Sequence, residues 1–428
     1  MPMSISQRDS ENIWHPYTQM QLYGKAIGIV RGEGAYLFDE ERKKYIDAGA
    51  SWWTNIHGHA HPHIAQKIFE QANKLEHVIF AGFTHEPAVQ LAERLLRILP
   101  PDQKRIFYSD NGSTAVEVAL KMAFQYWHNR SELRTKVIAF KNAYHGDTFG
   151  AMSVSGRSAF TAAFDKLLFD VIYIDAPVPG KEDEAFAQLK NHISRHVTDI
   201  SAFIFEPLVQ GTAGMITHDA RALEKMIRLC KEHGIITIAD EVMTGFGRTG
   251  KMFACDHLET SPDVFCLSKG ITGGAMAFGV TSCTQKIYEA FLSDDRMKTF
   301  FHGHSYTANP IACAAANASL DIFEAENTFA KIERIRQQHE KFVQQLTARQ
   351  FEHLIIRHLG TILAIEINAG ETSYFNGIRD KAYHYFLERG IIMRPLGNVI
   401  YLMPPYCIRE ADLEYIYGII LTFLEVKL

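Results

Sequence analysis

The sequence predicts an α/β protein, with one large domain around a mostly parallel central sheet and a smaller α+β domain built from both chain ends. Three observations carry this. Short β-branched or aromatic runs alternate with helical patterns from about residue 60 to 300, the order expected of βαβ units. The runs are nearly continuous in apolar residues, as strands covered on both faces require. The segments before residue 50 and after 310 lose that alternation.

Taken in order, AIGIVRGEGAYLFDEERKKYIDA reads as antiparallel strands joined by tight turns. The runs KRIFYSD (104–110), KVIAF (136–140), VIYID (171–175), AFIFE (202–206), IITIAD (235–240) and VFCLSK (264–269) are the expected strands of the main sheet. Between them, STAVEVALKMAFQYW (113–127) and RALEKMIRLCKEHG (221–234) have helical periodicity. The second closes on Lys, His and Gly, a helix stop. Beyond residue 310 the pattern predicts a long charged helix (327–348), strands at 360–367 and 399–402, and helices at 377–389 and 410–425. The expected boundaries are 51–315 for the large domain, and 1–50 with 316–428 for the small one.

Composition narrows the function. The chain has 428 residues, 47% hydrophobic and 22% charged, which is ordinary for a globular protein. A formal net charge of -5 gives no basic footprint for nucleic acid or an anionic membrane. No run approaches the ~18 apolar residues of a membrane span, and the N-terminal segment has no signal-like apolar core. The six cysteines form no C-x-x-C pair and no zinc spacing, so they read as buried thiols in a reducing, cytoplasmic setting.

Three expected strands end in a charge: Glu206, Asp240 and Lys269. In an open α/β sheet, ligands bind outside the carboxyl ends of the strands. These charges either gather at one rim or simply mark where each strand meets water. The roles suit one cofactor. A desolvated lysine can form a Schiff base. Asp240 can pair with a protonated pyridine nitrogen and keep the ring an electron sink. Gly112-Ser113-Thr114 opens the 113–127 helix, where free N–H groups and the helix dipole suit a phosphate, or where an ordinary cap would sit. Tyr144 follows a strand and can stack on a planar ring or cover the core.

Two patterns are set aside. Gly245-Phe-Gly247-Arg-Thr-Gly250 has dinucleotide-site spacing and follows a strand, but no helical period comes after it. It is expected to be a turn carrying Arg248. His57, His59, His61 and His63 form a histidine tract, but Gly58 and Pro62 break it and no metal-site motif follows, so no metal is expected.

The order NGSTAVEVALKMA, YHGDTFGAMS, EPLVQG, IADEVMTGFGRTG, CLSKGITGG and FHGHSYTANP resembles the class III, fold-type I aminotransferases over nearly the whole chain. The resemblance implies the pyridoxal-5'-phosphate-dependent transferase fold. Lys269 would form the Schiff base and shuttle the proton, Asp240 would meet the pyridine nitrogen, and Tyr144 and Val242 would flank the ring. Gly112 and Ser113 would hold the phosphate. Ser305 would reach the phosphate of the neighbouring subunit in a homodimer with shared active sites, although His304-Ser305 stands where some members carry Pro-Thr, and Gly303 would contact substrate. The elements IWHPYTQM, ASWWTNIHG and RPLGNVIYLMPPY resemble members that move the amino group of S-adenosylmethionine to 8-amino-7-oxononanoate in biotin synthesis. In them Arg394 would bind the keto acid carboxylate, Tyr17, Trp52, Trp53 and Tyr401 would line the pocket, and Asp147 would help place the amino donor. The element HGHSYT resembles members that take lysine instead, whereas Tyr17 and the paired tryptophans favour S-adenosylmethionine.

Overall fold

The computed structural model describes residues 3–22, 24–368 and 377–426. Its main sheet has seven strands in the order Gln103–Ser109, Gly279–Thr284, Val264–Leu267, Ile236–Asp240, Ile200–Phe205, Lys136–Phe140 and Val171–Ile174. The last five are mutually parallel. Gly279–Thr284 runs antiparallel to both of its neighbours. The six apolar runs all form strands, and their alternation with helices is the reason the sheet is mostly parallel. The seventh strand, GVTSCT, is absent from the sequence reading because it lacks bulky apolar residues. It is buried nonetheless, since its hydroxyls are bonded internally. Thr281 Oγ1 donates to Ala115 O at 2.8 Å and Ser282 Oγ to Gln103 Oε1 at 2.7 Å.

The helix Gly112–Asn129 packs a buried face of Ala115, Val116, Ala119, Leu120 and Ala123 on the sheet. The helix Ala220–Glu232 buries Leu223, Met226, Ile227 and Cys230 in the other core cluster, with Phe203 and Phe205. Both lie within two residues of the expected ranges, apart from the unwound end of the 221–234 pattern.

The chain ends form two further sheets. Ile29–Glu33, Tyr36–Asp39 and Lys44–Asp47 are antiparallel, and Ile391–Ile392 joins the last of them in parallel. Leu354–Leu359, Ile362–Ile367 and Val399–Leu402 form an antiparallel sheet, so the strand expected at 360–367 is the second arm of a hairpin turning at Gly360. Gly360 has φ +59, and a Cβ there would come within 2.5 Å of Arg248 O and the Gly250 nitrogen. The hairpin therefore docks directly on the 245–250 turn.

Residues Ala50, Ser51, Trp52 and Trp53 all have positive φ, between 46 and 80°. They make a left-handed turn closed by Trp53 N to Gly49 O and Thr54 N to Ala50 O, each at 2.9 Å. Each such non-glycine residue costs roughly 1–2 kcal/mol, so the surroundings must hold the turn in place.

The C-terminal core contains a buried histidine. His339 donates from Nε2 to Thr361 O at 3.1 Å and accepts the Tyr417 hydroxyl at Nδ1, 2.6 Å away. Burial, assisted by His358, pushes its pKa down to about 3 from the ordinary 6.5. The unfolded chain therefore binds this proton first. The contribution is complete above pH 6.5 and is lost as pH falls toward 3. His339→Gln, which keeps a donor and an acceptor without titrating, is expected to flatten the fall in stability across that window. Urea unfolding at a series of pH values measures it, and an unchanged slope would contradict this.

Candidate active site

Strands ending at Phe205, Asp240 and Leu267 are adjacent and parallel, so Glu206, Asp240 and Lys269 meet at one rim of the sheet. They line a cavity of about 390 Å³ together with Trp53, Gly112, Ser113, Tyr144 and Val242. Lys269 is partly buried, with φ +44. Burial lowers the pKa of its amine, while the charges of Asp240 and Glu206 pull the other way. Its Nζ lies 5.2 Å from the centre of the Trp53 ring.

Asp240 is held on both oxygens. Oδ2 meets His145 Nδ1 at 2.7 Å, and Oδ1 accepts the Val242 N–H at 3.1 Å. Glu206 accepts N–H groups from Tyr144 at 3.1 Å and Gly211 at 2.9 Å. Burial is the main reason its pKa is pushed up to about 7, with Asp240 adding to the rise and His145 opposing it.

The helix Gly112–Asn129 begins at the same cavity. Asn111 caps it by accepting Thr114 N–H at 3.0 Å. The N–H groups of Gly112 and Ser113 take no acceptor among the described residues, so they remain available to an anion at the positive end of the helix. A Cβ on Gly112 would lie 2.7 Å from Val242 Cγ1, so only glycine lets the loop approach the Val242 side chain this closely. Ser113 Oγ accepts Asp147 N–H at 3.1 Å.

The other substrate candidates cluster around Tyr144 and Trp53, which are part of the cavity wall. Tyr17 Oη is 3.1 Å from Tyr144 Oη and also donates to Asp147. The Tyr17 ring meets Trp52 edge-on at 5.6 Å, and the Arg394 guanidinium stands 4.7 Å over Trp52. Trp53 Nε1 donates to Tyr401 Oη at 3.0 Å. A second cavity of about 390 Å³ shares Tyr144 and Gly146 with the first and adds Asp147, Phe160 and Leu396. Of the candidates, Tyr17, Trp52, Arg394, Tyr401, Gly303 and Ser305 line neither cavity. Gly303 and Ser305 sit in the exposed loop 301–309.

Arg248 is fully buried, and burial lowers its pKa. Its guanidinium donates to Pro404 O at 2.8 Å and Trp53 O at 3.1 Å, tying two walls of the pocket together. The 245–250 segment is thus a turn that opens no helix. The histidines of the tract have separate partners: Ser319 for His57, Asp47 for His59, Glu326 for His61 and Asp321 for His63. Among the described residues no group of three or more His, Cys, Asp or Glu could hold a metal ion. His145 and Phe160 escaped the sequence reading. His145 carries no signal beyond following Tyr144. Phe160 meets Tyr17 edge-on at 5.7 Å, through a loop with no periodicity.

The donor set suits pyridoxal phosphate. A desolvated amine, a twice-bonded carboxylate and a glycine-lined helix terminus with free N–H groups face one space of the right size. The pattern described as aminotransferase class-III matches residues 20–424. The adenosylmethionine-8-amino-7-oxononanoate aminotransferase of Synechococcus elongatus is 44% identical over 97% of this chain and 98% of its own. The crystal structure of the same-named enzyme from Methanocaldococcus jannaschii aligns with TM-score 0.92 and 39% identity, covering 98% of both chains. An amine transaminase from an uncultivated Pseudomonas species, solved in its PLP-bound form, aligns with TM-score 0.89 and 30% identity, covering 96% of this chain and 97% of its own. The chain therefore belongs to the class III aminotransferase family.

Proposed function

We propose that this protein is a pyridoxal-phosphate-dependent transaminase that moves the amino group of S-adenosylmethionine to 8-amino-7-oxononanoate, giving 7,8-diaminononanoate for biotin synthesis. One observation carries it. Lys269 and Asp240 line one cavity with Trp53 and Tyr144, the Tyr144 hydroxyl lies 3.1 Å from that of Tyr17, whose ring meets Trp52 beside Arg394, and relatives matched over nearly their whole length bear the name of this reaction.

When bound, pyridoxal phosphate supplies an electron-accepting ring on which an amino group can be carried. The chain's own residues do the rest. Gly112 and Ser113 N–H groups would hold the phosphate at the helix terminus. The Asp240 carboxylate, fixed by His145 and the Val242 N–H, would keep the ring nitrogen protonated. Tyr144 and Val242 would flank the ring. Lys269 Nζ, with its pKa lowered by desolvation, would take the proton from the donor carbon as general base and deliver it to the cofactor carbon as general acid. The two substrates bind in turn. Arg394 pairs with the keto acid carboxylate, while Tyr17, Trp52, Trp53 and Tyr401 exclude water around its chain. Asp147, bonded by Tyr17, helps place the amino donor.

The proposed working unit is a cytoplasmic homodimer. Ile79, Phe83, Phe301 and Tyr306 are each 60% or more exposed, a large apolar display for a monomer. Gly303 and Ser305 lie in the same loop and would complete the partner's site. All six cysteines are free, in keeping with a reducing compartment.

Lys269→Ala is expected to lower turnover about ten-thousand-fold or more while leaving the fold intact by circular dichroism. Normal turnover would sink the assignment. Arg394→Ala should raise KM for the keto acid about 100-fold, the loss of a bidentate charge-assisted pair, with little change in the donor half-reaction. Steady-state kinetics with each substrate varied separately reads this, and an equal effect on both substrates would contradict the role given to Arg394.

A further inference from the structure

We infer that Asp47 is a positioning residue, whose carboxylate holds the left-handed turn at residues 50–53 and through it sets Trp53 in the wall of the substrate pocket and Trp52 beside Tyr17 and Arg394. The inference rests on the pocket being the substrate site proposed above.

The turn needs outside support, since four successive non-glycine residues occupy the left-handed region. Asp47 provides it from a fully buried position. Oδ2 accepts the Ser51 hydroxyl at 2.8 Å, in the middle of the turn, and Oδ1 accepts Gly49 N–H at 3.2 Å, just before it. The carboxylate is itself fixed. His59 Nε2 meets Oδ2 at 2.8 Å, and Asn55 Nδ2 approaches His59 Nδ1 at 3.0 Å. The Asn55 amide nitrogen can only donate, so Nδ1 accepts and Nε2 carries the proton toward Asp47. Thr54 Oγ1 donates to Asn55 Oδ1 at 2.8 Å, which orients that amide. A chain of four side chains thus runs from Thr54 to Asp47 and back into the turn at Ser51.

The turn delivers two side chains with different tasks. Trp52 projects outward, between Tyr17 and Arg394. Trp53 projects inward, next to Lys269, and donates to Tyr401. A right-handed or extended path through 50–53 would not send both to these places. Asp47 touches neither cavity, so its influence on the reaction must pass through the turn.

The test is a cycle of Asp47→Asn and Trp52→Ala in the full-length enzyme loaded with pyridoxal phosphate. Asp47→Asn should lower kcat/KM for the keto acid on the order of 10- to 100-fold, the scale of a misplaced binding wall, and leave the visible absorbance of the bound cofactor unchanged. The losses should overlap, so that the double variant is barely slower than Trp52→Ala alone. Ser51→Ala removes one bond of the same clamp and should repeat the effect on a smaller scale, which keeps the test open if Asp47→Asn does not fold. Wild-type kcat/KM in the folded Asp47 variant, or in Ser51→Ala should the Asp47 variant not fold, would overturn the inference. So would a double variant whose loss is the product of the two single losses. A wild-type enzyme that transaminates neither substrate would instead overturn the proposed function.

Discussion

Burial of the Lys269 amine beside Asp240 is the interaction on which the rest of the site depends. The two residues end adjacent parallel strands, so the sheet itself brings an amine and a carboxylate together in a space with little water. Desolvation alone would strip the proton from the amine, whereas the neighbouring carboxylates favour keeping it. The Lys269 amine therefore gives up its proton more readily than an exposed lysine does. Asp240 avoids becoming a second floating charge because His145 and a backbone N–H bind its two oxygens.

The parts farther from the amine are arranged around this centre at some cost to local stability. Residues 50–53 adopt a left-handed turn that the chain would not take by itself, and Lys269 has a positive φ of its own. Arg248 is buried, donating to backbone carbonyls and standing over the Tyr406 ring, and it binds the Trp53 carbonyl to the segment after the Tyr401 strand. Strain of this kind persists only where several contacts enforce it. Here the enforcing contacts are Asp47 and Arg248, which approach the turn from opposite sides of the sequence.

Much of this was legible in the sequence, because its signals are local. The six apolar runs, their terminal charges and the glycines before the 113–127 helix all lie within a few residues of the chemistry they serve. Burial removed the strand Gly279–Thr284 from view, since hydroxyl-rich residues read as loop until their internal partners are known. The hairpin arm Leu354–Leu359 was likewise missed ahead of its brighter neighbour. Contacts between distant segments were beyond any periodicity. His145 on Asp240, Phe160 on Tyr17 and Asp47 on the turn depend on which loops the fold brings together. Arg248 falls between, since the turn was foreseen and its clamp was not. The placement of Gly303 and Ser305 in an exposed loop is consistent with a role completed by a second copy, which one chain cannot display.

The central claim is that this pocket takes the amino group from S-adenosylmethionine, and absorbance tests it most directly. Purified enzyme loaded with pyridoxal phosphate would be titrated with S-adenosylmethionine and, separately, with lysine, with no acceptor present. The expected result is loss of the visible band of the bound cofactor with S-adenosylmethionine alone. A response to lysine alone would contradict the donor assignment, and no response to either would contradict the transaminase mechanism built on Lys269.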